Sequence, residues 1–471
     1  MAMMRVLFRT RALSAGLMLA GALVLGAPAQ ACSIAQTRAL FEYDGRTQFI
    51  LDVEAAMASA QASQGVIPQA AAQEITAKAK VALVAQDAFD SEYAIVNHRM
   101  VALLNVWRRS LNDAGDQYVH FGATTVDIYG TATVLQTMRA VNELDQCLGR
   151  SMEAMTELAQ AHKATPMIGR TLGQHAQPIT FGKKISAWIG EYSRHRARLV
   201  QLRERLARSA ILKGAVGNYS GLGDKAIAVE QAFAAELGLP RPYTADWNGT
   251  RDVLAEYGLV AGLIAKSHQR IGQELFLLQG TDIGEVREAQ RKGVVGSSSM
   301  PHKRNPRAPE RLIHAGRTIP RLAQVLSDDV VNFFERDNTS GLSPIIEDIA
   351  VQSVSAARTL AMLLEGLEID TEAMRANINR TRGFAMSQRV AFALAKTMPR
   401  VEAEALVKQV IAEALATDQS FAQALAANPQ TATRLDKAEI EALLDPTDIA
   451  QPALDQVDRV IEEANEEAGT P

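Results

Sequence analysis

Leu254, Tyr257, Ala261, Ile264, His268, Ile271, Leu275 and Leu278 recur at alternating steps of three and four. That spacing places all of them on one stripe of an α-helix, sustained over a coiled-coil-like length. His268 falls inside the stripe and reads as a packed, hydrogen-bonded core histidine. Four further stretches run comparably far without a breaker: about Thr133–Lys163, Lys183–Leu212, Arg307–Val331 and Glu347–Leu367. Pro309 lies in the first turn of the third, where a missing N–H is tolerated, and Pro320 is expected to kink it. Strand signals are scarce. Five helices of this length, joined by loops bearing glycine and proline, predict a long central bundle.

The predicted architecture is all-α. Residues 32–132 form an N-terminal helical domain with a first polar loop. Residues 133–379 form the five-helix bundle, and 380–471 a C-terminal helical domain. The closing "EEANEEAGTP" is expected to fray. No internal repeat or low-complexity tract interrupts this plan.

The first 31 residues depart from the pattern. Arg5, Arg9 and Arg11 precede the apolar run "ALSAGLMLAGALVLGA", and "PAQAC" follows it. A positive start, a short apolar centre and Ala29-x-Ala31 predict a secretory signal cleaved after Ala31, and hence a periplasmic or secreted protein. The run is too short and too glycine-interrupted for a stable membrane span. Cleavage would leave Cys32 first, which raises lipid attachment, although Ala29 and Gln30 make a poor lipoprotein box. Cys147 lies in a helical pattern and reads as a small core residue, so two cysteines predict no disulfide framework.

Composition narrows the function classes. The chain is 47% hydrophobic and 22% charged, with a formal charge of −4 and no basic arm or stripe, which disfavours nucleic acid. Its eight histidines are scattered, with no HExxH, CxxC or Walker loop, so neither a metal nor a nucleotide cofactor is predicted.

Chemistry concentrates in three polar loops at bundle-helix junctions. They are "YVHFGATTVDIYGTA" (Tyr118–Ala132), "TPMIGRTLGQHAQPITFG" (Thr165–Gly182) and "GVVGSSSMPHKRNP" (Gly293–Pro306). The third combines glycine freedom, three hydroxyls, Lys303 and Asn305 ahead of a helix N-terminus, which suits an anionic ligand.

The segment GSSSMPHKRNP resembles the signature loop of the fumarase/aspartase superfamily, which includes adenylosuccinate lyase, argininosuccinate lyase and 3-carboxy-cis,cis-muconate cycloisomerase. The other two loops match that family's remaining site regions in the same order, and the resemblance spans about Thr37–Val457. It implies a homotetramer whose active sites are each built from three subunits, acting on a small carboxylate. It also implies abstraction of a proton next to a carboxylate, followed by expulsion of a group from the neighbouring carbon.

By that resemblance Ser297 is the general base, within a loop whose Met300 also contacts substrate. Lys303 and Asn305 grip the substrate carboxylate, Thr124 and Thr125 donate hydroxyls to it, and Gln174 adds an amide. Glu310 matches a carboxylate that orients a site histidine. The chain departs from the fumarate-forming lyases at Leu172, where a histidine usually serves as general acid. Leu172 followed by Gln174-His175-Ala176 resembles the cycloisomerase branch, leaving His175 and His120 as candidate acids. His302 reads as solvent-facing, and the role of His98 stays open. Arg336 and Asp337 survive from a segment that holds a nucleotide phosphate in adenylosuccinate lyases, but its Glu-Arg pair is missing. The expected activity is an anti β-elimination that cleaves a C–N or C–O bond of a succinyl-type acid and releases fumarate. The rivals are a lactonising cycloisomerase and a non-catalytic binding protein on the same scaffold.

Overall fold

The computed structural model describes residues 32–469 except 246, 291–292 and 338–341. The apolar run read as a secretory signal, up to the expected cleavage after Ala31, lies outside the described residues.

Among the described residues, five helices of 22 to 37 residues build the bundle. With the long N-terminal helix α1 (Tyr43–Ser63) counted first, they are α2 (Thr125–Ala161), α3 (Phe181–Ala207), α4 (Asp252–Leu278), α5 (Arg307–Asp328) and α6 (Leu342–Glu365). Each covers one predicted stretch. Along α4 the stripe from Tyr257 to Leu278 is 0–2% exposed at every position, and only Leu254 is half-buried. His268 is inside it: its Nδ1 lies 2.7 Å from the Ile264 carbonyl, and burial pulls its pKa down to about 4. α5 continues through Pro320.

The helices alternate in direction. Gly272 of α4 meets Leu312 of α5, and Gly258 meets Ala323, so that pair is antiparallel. A Cβ at Gly272 would sit 2.8 Å from the Leu312 Cβ, so small residues are what let these two helices close. Arg196–Asp145 (2.8 Å) and Arg203–Asn142 (2.8 Å) set α3 antiparallel to α2. His195–Ser267 (2.7 Å) and Arg205–Glu256 (2.7 Å) do the same for α3 and α4. Separate apolar clusters lie in the N-terminal helices and in residues 390–440. The excursion Leu212–Phe233 leaves the bundle to pack into the N-terminal cluster.

Three expectations are corrected. First, Cys32 and Cys147 form a disulfide across 115 residues, with Cα atoms 4.8 Å apart and both residues at most 1% exposed. The apolar face of α2 that hides Cys147 is the face on which the N-terminal segment lies, so the core position and the bond coincide. Second, Thr165–Gly182 is not only a loop. Pro166–Thr171 (β1) and Gln174–Thr180 (β2) pair antiparallel across the turn residues Leu172 and Gly173. Both sit at positive φ (52° and 76°), as a primed hairpin turn demands. Third, the acidic end is helical from Gln451 to Gly469, because Val457, Ile461 and Ala464 pack into the bundle core at helical spacing. No described helix is long and apolar enough to cross a membrane.

Candidate active site

One end of the bundle is organised by the loop into α2. His120 and Gly122 adopt positive φ (62° and 73°), and a Cβ at Gly122 would sit 2.8 Å from the Gly221 carbonyl oxygen. The Gln61 amide of α1 donates to the Phe121 carbonyl (2.6 Å). Asp127, buried in the first turn of α2, accepts the N–H groups of Thr124 (3.0 Å), Lys213 (2.9 Å) and Gly214 (2.9 Å). Burial raises its pKa, and those three N–H groups partly oppose the rise. Thr124 and Thr125 stand half-buried at the helix start. His120 Nδ1 lies 2.6 Å from Oε1 of Glu54, a fully buried α1 side chain whose Oε2 has no hydrogen-bond partner. Burial lowers the His120 pKa, but the hydrogen bond and charge of Glu54, with help from Asp127, outweigh it and leave it raised.

Arg336 lies at this same end. It follows α5, next to Glu335, whose carbonyl touches Gly249, while Asn332 Nδ2 donates to the Gly249 carbonyl (2.9 Å). Asn248 in turn abuts Gly130 on α2.

The opposite end carries the β1–β2 hairpin and the serine loop. Arg170 on β1 donates both guanidinium arms to Glu285 (2.7 and 2.9 Å), and the Asn377 amide donates to the same buried carboxylate (2.8 Å). Glu285 therefore clamps the hairpin to the chain leaving α4. His175 pairs with Arg170 in the register, and burial, then the Arg170 charge, depress its pKa. Gln174 is exposed, and Leu172 at the turn is 100% exposed. In the serine loop Ser297 is half-buried, and its Oγ accepts the Met300 N–H (3.2 Å). Arg307 donates to the Val295 carbonyl (2.8 Å), and Glu288 accepts the Ala308 N–H (3.1 Å) in the first turn of α5. Gly296 abuts the Lys303 carbonyl, where a Cβ would stand 2.7 Å away. Lys303 is exposed and has no ion-pair partner among the described residues; Asn305 is half-buried, and Met300 and His302 are exposed. Glu310 faces a cavity of about 410 Å³ with Arg38, Arg311, His314 and Gln352, and forms no ion pair with a histidine among the described residues.

The candidate residues thus fall into two groups at opposite ends. At 1.5 Å per residue, the 37 residues of α2 hold its termini roughly 54 Å apart. His120, Thr124, Thr125 and Arg336 stand at one end. Gln174, His175, Ser297, Met300, Lys303, Asn305 and Glu310 stand at the other. A rigid helix forbids their meeting within one chain. Among the described residues, no group of three or more His, Cys, Asp or Glu is placed to hold a metal ion.

A family described as Lyase matches residues 32–320, and one described as Adenylosuccinate lyase C-terminus matches 383–460. The N-acetyl-S-(2-succino)cysteine lyase of Enterococcus italicus is 34% identical over 431 residues, covering 91% of this chain and 94% of that protein. This chain belongs to the fumarase/aspartase superfamily. The 3-carboxy-cis,cis-muconate cycloisomerase of Pseudomonas aeruginosa is 36% identical over 439 residues, again covering 91% and 94%. Among solved superfamily members, the 3-carboxy-cis,cis-muconate lactonizing enzyme of Pseudomonas putida superposes with a TM-score of 0.84 at 32% identity, covering 92% of this chain and 98% of that one.

Glu54 and Glu285 escape a motif-based reading of a superfamily member because neither lies in a site loop. A signal for Glu54 does exist. It is a carboxylate inside the run Val53–Ala58, whose other members are all buried and apolar, and such a charge demands a partner.

Proposed function

We propose that this superfamily member is a lyase performing anti β-elimination on a succinyl-type acid, with Ser297 as the general base. In the reaction Ser297 Oγ, as its alkoxide, takes the proton from the carbon next to a carboxylate. The electrons left behind delocalise into that carboxylate as a dianionic aci-acid. The C–X bond to the neighbouring carbon then breaks, its electron pair leaves with X, and a C=C bond remains, giving fumarate. Fixed donors must be in place before that charge develops. Lys303 and Asn305, with Thr124 and Thr125 from another copy, supply them, and the N-terminus of α5 favours the serine anion. X is nitrogen or oxygen in the sequence reading. The relative named for S-(2-succino)cysteine adds sulfur to the classes worth testing.

The observation that carries this reading is the serine loop itself. It holds a half-buried hydroxyl and an exposed lysine with no ion-pair partner among the described residues, immediately before a 22-residue helix. The alternating helices support a site shared between copies, as in an antiparallel homotetramer that sets one chain's α2 start beside another's serine loop. The test is turnover of N-, O- and S-succinyl acids, read as fumarate, with Ser297→Ala as control. Fumarate formation that falls by several orders of magnitude in the variant supports the reading; near-normal variant turnover contradicts it.

A lactonising cycloisomerase is the second reading, favoured by Leu172 at the hairpin turn and by the relatives of that name. Lactone from carboxymuconate without fumarate selects it.

The disulfide supports an oxidising compartment, and so export with cleavage after Ala31. A sulfur bonded to Cys147 is also not free to carry a thioether-linked lipid. Intact mass and N-terminal sequence of the secreted protein, beginning at an oxidised Cys32, test this.

A further inference from the structure

We infer that Glu54 is a positioning residue that presents His120 as the proton donor to the leaving group, the role vacated at Leu172. The inference rests on the lyase reading above and adds the acid half of the reaction to it.

Glu54 is fully buried, and His120 Nδ1 at 2.6 Å is the one hydrogen-bond donor its side chain has among the described residues. An ionised carboxylate so placed is costly unless its neighbour is cationic. The ring therefore carries a proton on Nδ1 toward Glu54 and, when cationic, a second on Nε2. His120 Nε2 hydrogen-bonds to no described residue, and the side chain is 17% exposed, so that N–H is available from the open side. The backbone is fixed by the same helix: Gln61, two turns beyond Glu54 on α1, holds the Phe121 carbonyl. One face of α1 thus orients both the ring and the loop that bears it.

The charges facing His120 come from three elements. Glu54 on α1 and Asp127 on α2 favour the cation, whereas Arg108, at the end of the helix Arg99–Arg108, opposes it. His175, the alternative donor, is pushed toward its neutral form by burial and then by the charge of Arg170, which suits it poorly to giving up a proton at neutral pH.

In the step itself the Nε2–H bond breaks as departing X accepts the proton on the electron pair of the broken C–X bond. Ser297 of another copy holds the proton removed from carbon. Both groups then exchange protons with water, so no further reactant is needed.

The test is a pH titration of the ligand-free protein labelled with [13Cε1]histidine, with His120 assigned by its Asn variant. The wild-type His120 resonance is expected to titrate above the ordinary histidine value. In Glu54→Gln, which keeps the shape and removes the charge, the midpoint is expected to fall by about one pH unit or more. Glu54→Asp, which keeps the charge, retains most of the elevation. On whichever substrate turns over, the alkaline limb of the kcat profile moves to lower pH in Glu54→Gln by the same amount. A His120 midpoint at or below the ordinary value in the wild type overturns the inference. So does an unmoved midpoint or alkaline limb in a folded Glu54→Gln. The wild-type titration needs no turnover and no folded Glu54 variant, so absence of lyase activity would count against the proposed reaction while leaving the Glu54–His120 pair decided by resonance alone.

Discussion

Cys32→Ser removes the disulfide while leaving Cys147 as a buried thiol, so it isolates the covalent link from the packing of α2. The bond closes 115 residues of chain, from the first described residue to the middle of α2. In the chain-entropy picture, releasing that loop in the unfolded state gives back about 4.8 kcal/mol at 25 °C, near the top of the range for native disulfides. Part of the effect should also be local. Besides the bond, the segment is tied to the bundle by Ser33 N–H to Glu143 (3.3 Å), Arg358 to the Cys32 carbonyl (3.3 Å), Gln136 to the Leu40 carbonyl (2.6 Å) and the buried Phe41. Chemical denaturation of wild type and variant at one fixed protomer concentration gives the global term, because assembly otherwise shifts the midpoint. Hydrogen exchange over residues 33–42 gives the local one. A loss of about 2–5 kcal/mol with faster exchange in that segment is expected. A loss below about 0.5 kcal/mol, in wild type whose disulfide is verified by mass, would refute the reasoning.

Other expectations follow from the same contacts. Burial holds His195 and His268 down to about 4, so between there and the ordinary value the unfolded chain binds protons that the folded one refuses. Stability should therefore fall as pH drops below about 6.5, by roughly 3 kcal/mol per histidine once pH 4 is reached, as read from denaturation midpoints across that range. Arg170→Ala strands the buried Glu285 carboxylate and should cost about 3 kcal/mol, while Arg170→Ala/Glu285→Gln should recover part of it in a double-mutant cycle. Gly296→Ala forces a methyl against the Lys303 carbonyl, so kcat should fall about tenfold or more while the melting temperature moves little, since the loop adds no core.

Much of this molecule is readable from its periodicity. The five bundle helices announce themselves because a stripe like Tyr257–Leu278 must be buried by helices of matching length, and glycine and proline mark their ends. The three polar segments stand out by composition, but only Gly293–Pro306 is a loop throughout: Tyr118–Ala132 turns helical at Thr125, where a capping box starts α2, and Thr165–Gly182 is the hairpin. What does not follow is which junctions coincide in space. That requires the alternation of helix direction, fixed by contacts such as Arg196–Asp145 and Gly272–Leu312, which no local pattern encodes. The β1–β2 hairpin is hidden because its turn uses Leu172 in a left-handed conformation, an unusual choice for that position. The Cys32–Cys147 bond is hidden because 115 residues separate its halves. Glu54 becomes meaningful only when its partner, His120, arrives from 66 residues away.

In the proposed reaction a proton-abstracting serine from one copy works on a carboxylate held by the threonine end of another. Mixed oligomers of Ser297→Ala and Thr125→Val chains test it directly, since each chain lacks a different end. If sites are shared, random assortment leaves about a quarter of them with both ends intact, and the mixture should turn over well above the mean of the two homomers. Activity that never exceeds that mean, in oligomers shown to contain both chains, would contradict the account.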